Sequence, residues 1–348
     1  MKVIIPLAGA GTRLRPLTHT KPKPMLLIAG KPGMCYILDE LKKMDVSEVI
    51  FITGHLKERI EDFIRQNYSF RTRFIEQREL NGTAGAIRLT EKYINEPVLI
   101  IFVDTIFETD LSIINKLQKD EAGIIWTKHV EDYQRFGVCV LDNQGYLQKI
   151  VEKPSQPISK LANIGLYYIK DYKLLFKGIK YVFDNKITLK GEYFLTDAFD
   201  YMVRQGAKIL CPEVKGWYDF GKPETLLETN RTFLDKGYTR VVNTENSVIN
   251  MPVNIAEGAK IKDSVVGPYV TIAKDVEITN SVVKDSIIEE RTRITDSSIE
   301  DSIIGSDAEI TGHLKKLYVG DHSVIITEKF KSFNPKKQGR KEGRKKRR

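Results

Sequence analysis

The stretch Lys2–Met25, KVIIPLAGAGTRLRPLTHTKPKPM, decides the fold. It opens on an apolar run and passes straight into a glycine-rich turn, so the run reads as a strand. Gly9 and Gly11 let the backbone approach a ligand closely and point N–H groups at an anion. Arg13 can grip paired oxygens in fork geometry, and Lys23 offers a point charge. Neither GKS/GKT nor GxGxxG is present, so the stretch is not a P-loop or a dinucleotide fingerprint. Taken alone, a tight turn at a strand end accounts for the same glycines equally well.

Outward from this stretch, apolar runs alternate with amphipathic ones. EVIFIT, TRFIEQ and PVLIIFVD read as strands; Met34–Met44, Lys57–Gln66 and Ala84–Tyr93 read as helices, as do 193–205 and 223–236. Such alternation predicts an α/β fold with a mostly parallel sheet covered on both faces, over residues 1–236. Ligands of such sheets bind beyond the carboxyl ends of the strands, which points to the loop after the first strand and the end of IIFVD. GVCVL, YLQKIVE and ANIGLYYI extend the sheet. From Asn246 the pattern changes. Ile255, Ile261, Val266, Ile272, Ile278, Val283, Ile288, Ile294, Ile299, Ile304 and Ile310 recur every five or six positions with turn-forming residues between them. That period is neither helical nor alternating. It predicts a parallel β-helix of about four coils over 246–327, with a plain sheet of short strands as the alternative.

Composition sets the remaining bounds. Hydrophobic residues make up 41% of the 348, enough for a sizeable core, and no run of eighteen apolar residues spans a membrane. The N-terminal apolar segment, Val3 to Ala8, is shorter than a signal-peptide core. Cys35, Cys139 and Cys211 lie far apart without metal spacing, which fits a reducing cytoplasm. The net charge of +9 belongs mostly to one end: Lys336–Arg348 holds nine Lys/Arg against one Glu. Residues 331–348 therefore read as a disordered basic tail. Attraction to nucleic acid or anionic lipid is the alternative for the tail, weakened by the lack of interleaved aromatics.

The whole string at 7–25 resembles the signature of the sugar-1-phosphate nucleotidyltransferases, GxGTRLxPxTxxxPKP, through Gly9, Gly11, Thr12, Arg13, Leu14, Pro16, Thr18, Pro22, Lys23 and Pro24. The layout is similar to the long forms of glucose-1-phosphate thymidylyltransferase, with a late VGD segment in LYVGDHSVI. The resemblance implies a Rossmann-like nucleotidyltransferase domain followed by a C-terminal left-handed parallel β-helix. It also implies that Leu7, Ala8, Gly9, Gly11, Thr12 and Arg13 bind the nucleotide, with Gln77, Gly82 and Thr83 of EQRELNGTAGAI at the base. Arg13 would stabilise departing pyrophosphate, and Lys23 would bind phosphates between the two substrates.

Asp104 of FVDTIF and Asp219 of WYDFGKPE match the segments whose carboxylates hold Mg²⁺. A carboxylate closing a buried strand is costly unless paired or bound to metal; a helix-entry role is the other reading of Asp219. Gly137 of RFGVCVLD, Glu152 and Lys153 of VEKP, Asn163 and Gly165 of ANIGLYYI, Glu192 of GEYFLTDA, and Trp217 fall on the sugar-phosphate side. The chain departs from the pattern at Asn81, Val103 and Lys222, where relatives often carry Leu, Gly and Thr. The implied reaction joins dTTP or UTP to glucose 1-phosphate, with guanine left open as the base. A non-catalytic nucleotidyltransferase-like regulatory subunit and an added acetyltransferase are the alternatives. His313 and His322 lie at or after the end of the repeats and offer no acetyl-transfer base. The β-helix is assigned to assembly or regulation, and a homo-oligomer is expected.

Overall fold

A computed structural model describes residues 1–327, the side chains of 313–315 excepted; the basic tail expected at 331–348 lies outside the described residues. The chain divides into two compact units, one of residues Met1–Thr232 and one beginning at Phe233. No helix among the described residues is long and apolar enough to cross a membrane.

The first unit is built on thirteen strands: β1 (Lys2–Pro6), β2 (Leu27–Ile28), β3 (Lys31–Pro32), β4 (Glu48–Thr53), β5 (Thr72–Glu76), β6 (Val98–Ile101), β7 (Thr105–Glu108), β8 (Glu121–His129), β9 (Gly137–Leu141), β10 (Leu147–Glu152), β11 (Leu161–Ile169), β12 (Lys208–Leu210) and β13 (Gly216–Asp219). Its main sheet runs β10-β9-β11-β6-β1-β4-β5, with β8 beside β11 and β12 beside β8. Strands β6, β1, β4 and β5 are parallel, as the strand–helix alternation requires. Strand β11 runs antiparallel to β6, β8 and β9, so the sheet changes character where the later strands join it.

Period-two alternation sends Val3 and Ile5 to one face of β1 and Ile4 to the other, and both faces are covered. One core gathers Val49, Phe51, Leu99 and Trp126 with helix α1 (Gly33–Leu41) and helix α2 (Lys57–Asn67). The other gathers Ile50, Ile100, Tyr167 and Phe199 with α3 (Thr83–Arg88), α4 (Tyr172–Asp184) and α5 (Leu195–Arg204). Helix α4 is missing from the sequence expectation. Its signals are present: Asp171 caps the N–H of Leu174 at 3.0 Å, and Leu175, Ile179 and Val182 recur at helical spacing. The helix expected over Ala84–Tyr93 is α3 alone, followed by a short 3₁₀ turn at Glu91–Tyr93. Thr90 separates them, its hydroxyl bonding the Ile87 carbonyl at 2.7 Å in place of a continuing helical bond.

The second unit opens within α6 (Pro223–Asp235) and becomes a left-handed β-helix. Its strands stack in three parallel columns. One column begins at Val248–Ile249, a second at Val253–Ile255 and the third at Lys260–Lys262. Each column has five rungs, against the four coils expected. The difference lies at the ends: the aliphatic count ran from Ile255 to Ile310, whereas the columns begin at Val248 and reach Ile326. Corners use left-handed backbone, with Asn246, Asp263, Asn280 and Asp296 at φ between 44° and 51°. Asn and Asp tolerate that region best among residues with a side chain. Inside the same corner, buried Ser264, Ser281 and Ser297 form a ladder. Ser281 Oγ donates to the Thr279 carbonyl at 2.7 Å and accepts the Ser297 N–H at 3.1 Å.

Candidate active site

Strand β1 delivers the glycine-rich loop to the carboxyl edge of the parallel strands. The loop turns at Gly11, whose φ of 60° suits glycine, and Thr18 Oγ1 donates to the Gly11 carbonyl at 2.9 Å. A Cβ on Gly11 would stand 3.0 Å from Thr18 and 3.1 Å from Lys23, whereas a Cβ on Gly9 would meet open space. Leu7, Ala8, Gly9, Gly11, Thr12 and Arg13 all line one cavity of about 470 Å³. Gln77, Gly82 and Thr83 line the same cavity. Gly82 has φ 103°, and a Cβ there would come within 2.3 Å of the Tyr193 carbonyl oxygen. Gln77 is buried at the end of β5 and lines the cavity.

Asp104 and Asp219 are brought together from distant parts of the chain by a two-stranded ribbon. Strand β13 runs antiparallel to β7 with Asp219 opposite Thr105, next to Asp104. The Phe220 N–H donates to the Asp104 carbonyl at 3.4 Å, and the Gly221 N–H to Asp219 Oδ1 at 2.7 Å. Lys23 stands among them. Burial pushes its ammonium below the ordinary lysine range, Asp104 and Asp219 pull it back up, and Arg13 pushes it down. Lys23 Nζ lies 5.1 Å from the centre of the Phe220 ring. Gly221, which the sequence did not single out, is where these groups crowd. A Cβ there would be 2.9 Å from Asp219 Oδ1, 3.2 Å from Arg13 Nη2 and 3.5 Å from Lys23 Nζ.

A second cavity, of about 390 Å³, holds Gly137, Glu152, Lys153, Asn163 and Trp217, with Asp219 on its wall. Glu152 Oε2 accepts from Thr196 Oγ1 at 3.1 Å, and Glu152 Oε1 lies 3.7 Å from Lys153 Nζ. Burial raises the Glu152 carboxyl above its ordinary range, while Lys153 and Thr196 draw it down. Lys153 holds left-handed backbone at φ 43° and sits 4.5 Å over the Phe194 ring. Asn163 has a scaffold role: its Nδ2 donates to the Gly137 carbonyl at 2.8 Å and its Oδ1 accepts from the Tyr167 hydroxyl. A Cβ on Gly137 would stand 2.3 Å from Asn163 Nδ2. Phe136 meets Trp217 edge-on at 5.1 Å, and Arg135 lines the same wall. Both residues directly precede Gly137 in RFGVCVLD, a motif in which the glycine alone carries the family resemblance.

Arg13, Thr83, Phe102 and Asp104 belong to both cavities, which are therefore neighbours across one shared wall. Glu192 is the exception among the expected sugar-side residues. It lines the first cavity, with Gln77 and Gly82, and not the second.

Among the described residues no three His, Cys, Asp or Glu side chains converge as a ready-made metal cage. Asp104 and Asp219 form a pair of hard oxygen donors acting on the same ammonium. Mg²⁺ commonly takes one or two carboxylates and fills its shell with substrate phosphates and water. The pair fits an ion that arrives with a nucleotide.

The family model described as nucleotidyl transferase matches residues 2–236. The bifunctional protein GlmU of Methanocaldococcus jannaschii is 36% identical over 317 residues, covering 84% of this chain and 74% of that protein. The glucose-1-phosphate thymidylyltransferase of Streptomyces antibioticus is 28% identical over 357 residues, covering 93% of this chain and 99% of the other. Among solved structures, a UDP-glucose pyrophosphorylase complexed with UDP-glucose superposes with a TM-score of 0.59 at 26% identity, over 68% of this chain and 98% of that one.

Proposed function

The chain belongs to the nucleotidyl transferase family, and from that premise we propose that it joins a nucleoside triphosphate to a sugar 1-phosphate, giving a nucleotide sugar and pyrophosphate. The observation that carries this reading is the shared wall. Cavities of about 470 and 390 Å³ meet at Arg13 and Asp104, so two substrates can present reacting groups to each other there.

In this reading the first cavity takes the triphosphate and the second takes the sugar 1-phosphate. A phosphate oxygen of the sugar attacks the α-phosphorus in line, and the bond to the departing pyrophosphate breaks. No side-chain nucleophile is needed, and catalysis is positioning plus charge neutralisation. Lys23 holds the two anions together against their repulsion, and Arg13 stabilises charge on the pyrophosphate. Lys153 takes the sugar's phosphate, and Glu152 accepts from sugar hydroxyls. Mg²⁺, held by Asp104 and Asp219 when bound, would neutralise triphosphate charge. Gln77 offers both a donor and an acceptor to a base edge, which suits uracil or thymine. We assign UTP or dTTP with glucose 1-phosphate as the preferred pair, the cytoplasm as the compartment, and assembly or regulation as the role of the β-helix.

The test is pyrophosphate release with Mg²⁺ across a grid of nucleoside triphosphates and sugar 1-phosphates. Release that requires one member of each set supports the reading. Silence across the grid, from folded protein, favours a non-catalytic regulatory subunit instead. Lys23→Ala is expected to lose most turnover while remaining folded; a near-wild-type rate in that variant would falsify the assignment. The bifunctional name of the methanogen relative makes acetyl-coenzyme A consumption a worthwhile second readout on the same sample.

A further inference from the structure

We propose that Glu192 reads the sugar of the nucleotide, its carboxylate accepting from the ribose 2′- and 3′-hydroxyls, so that the first cavity selects ribonucleotides over deoxyribonucleotides and, of the two nucleotides assigned above, takes UTP in preference to dTTP. The inference rests on the first cavity being the nucleotide site.

Three features place this carboxylate. First, Glu192 closes a two-residue turn with Leu189: the Leu189 N–H donates to the Glu192 carbonyl at 3.0 Å and the Glu192 N–H to the Leu189 carbonyl at 3.1 Å. The central residues, Lys190 and Gly191, have φ of 53° and 82°, the pattern of a type I′ turn. A lysine in that region is strained, so the surrounding structure holds the turn in one shape. Second, the next residue is tied to the expected base loop. The Tyr193 N–H donates to the Asn81 carbonyl at 2.9 Å, and the Ala84 N–H to the Tyr193 carbonyl at 3.0 Å. These bonds bracket Gly82. Third, Glu192 lines the cavity of the glycine-rich loop together with Gln77, while Glu152 and Lys153 line the other. The backbone at Glu192 is therefore held beside Gly82, and the residue lines the cavity that the proposed reading gives to the nucleotide.

Chemistry then narrows what it meets. An ionised carboxylate only accepts hydrogen bonds. The cations Arg13 and Lys23 are grouped with Asp104 and Gly221 on this cavity's wall, where a triphosphate would be neutralised. Gln77 and the backbone around Gly82 serve the base. Between base and phosphates a nucleotide offers one pair of donors, the vicinal hydroxyls of ribose, and a carboxylate has two oxygens to receive them. Acidic residues at the nucleotide edge of dinucleotide folds use the same pairing. Among the described residues no hydrogen bond or ion pair occupies the Glu192 side chain, and the residue is exposed to the cavity mouth.

The experiment compares UTP with dUTP, and GTP with dGTP, on full-length wild type, Glu192→Gln and Glu192→Ala. Equilibrium binding is measured without sugar phosphate, and pyrophosphate release with it. Wild type should bind the ribonucleotide of a favoured pair about tenfold or more tightly, the size expected for a charge-assisted hydrogen bond. Glu192→Ala should weaken the ribonucleotide by that factor, leave the deoxyribonucleotide within about twofold, and bring the ratio near one. Glu192→Gln should fall between. Equal weakening of both members of a pair, a changed base preference at constant sugar preference, or a wild type indifferent to the 2′-hydroxyl would each overturn the proposal. Ribose discrimination that depends on Glu192 without any turnover would sink the proposed reaction and keep this inference. Turnover without that discrimination would do the reverse.

Discussion

Gly221 shows how little room the candidate centre leaves. Its N–H holds Asp219 at 2.7 Å, and the space a methyl would need is already bordered by Asp219, Arg13 and Lys23. Gly221→Ala should therefore fold, since it adds only one carbon, yet lower kcat/KM for pyrophosphate release by about tenfold or more through displaced charges. An unchanged kcat/KM would show that these three groups are free to move aside. Asp197 carries a different signature. Burial and then Asp200 raise its carboxyl from 3.8 to about 6, against the pull of Arg204. The folded state thus holds this proton more tightly than the unfolded chain does. Stability from this group falls as pH rises from about 4 to about 6, and the cost is in full above that window. Asp197→Asn should raise Tm at pH 7.5 and leave it little changed near pH 4, a comparison that thermal melts at both pH values would settle. The glycine-rich loop, Lys23 and the two metal-candidate carboxylates stand out in the sequence only through the family resemblance of their strings, since a strand-end turn or a helix entry accounts for the same residues taken singly. The sequence does not reveal Gly221, Arg135 or Thr196, since their importance is a matter of which atoms lie nearby.

The ribbon of β7 and β13 does at the level of elements what no local pattern announces. It sets Asp219 opposite Thr105 and so joins Asp219 to Asp104, 115 positions earlier in the chain. Strands and helices with strong periodicity are legible in the sequence, whereas α4 does not stand out there and the Ala84–Tyr93 pattern overstates the length of α3. In the first case a capped amphipathic segment followed closely on a long strand. In the second a β-branched Thr90 turned its hydroxyl inward to a carbonyl. Glu192, expected on the sugar side, lines the first cavity instead, and the left-handed turn at Lys190 and Gly191 that precedes it carries no periodic signal. In the β-helix the serine ladder makes its own test. Ser281→Ala removes the acceptor of the buried Ser297 N–H and the donor to the Thr279 carbonyl. Loss of a buried partner costs roughly 1–3 kcal/mol. The variant should show a lower unfolding midpoint in denaturant, and Ser281→Thr, which keeps a hydroxyl, should recover part of it.

On the scale of the whole molecule, the chain divides into two compact units, and the residue pattern changes its period near Asn246. The metal question also belongs to this scale, because the ion is not part of a closed cage. With Asp104 and Asp219 as the candidates among the described residues, Mg²⁺ should add little stability alone and more when a triphosphate supplies further oxygens. EDTA should abolish pyrophosphate release yet leave the Tm of the nucleotide-free protein within about a degree. A large fall in Tm would mean a structural metal elsewhere. The coils behave differently from such a centre, since each contacts only its neighbours. Asn280 and Asp296 occupy equivalent corners sixteen residues apart, and their side chains bond at 2.7 Å. A genetic deletion that removes residues 281–296 would join Asn280 to Ser297, one corner serine replacing another, and shorten the solenoid by a whole step. Losing three codons in the same place would instead break the register of that coil against its two neighbours. Lineages carrying this unit should therefore gain and lose length in blocks of fifteen to seventeen residues, as the spacings Ser264–Ser281, Ser281–Ser297 and Ser297–Gly312 already display.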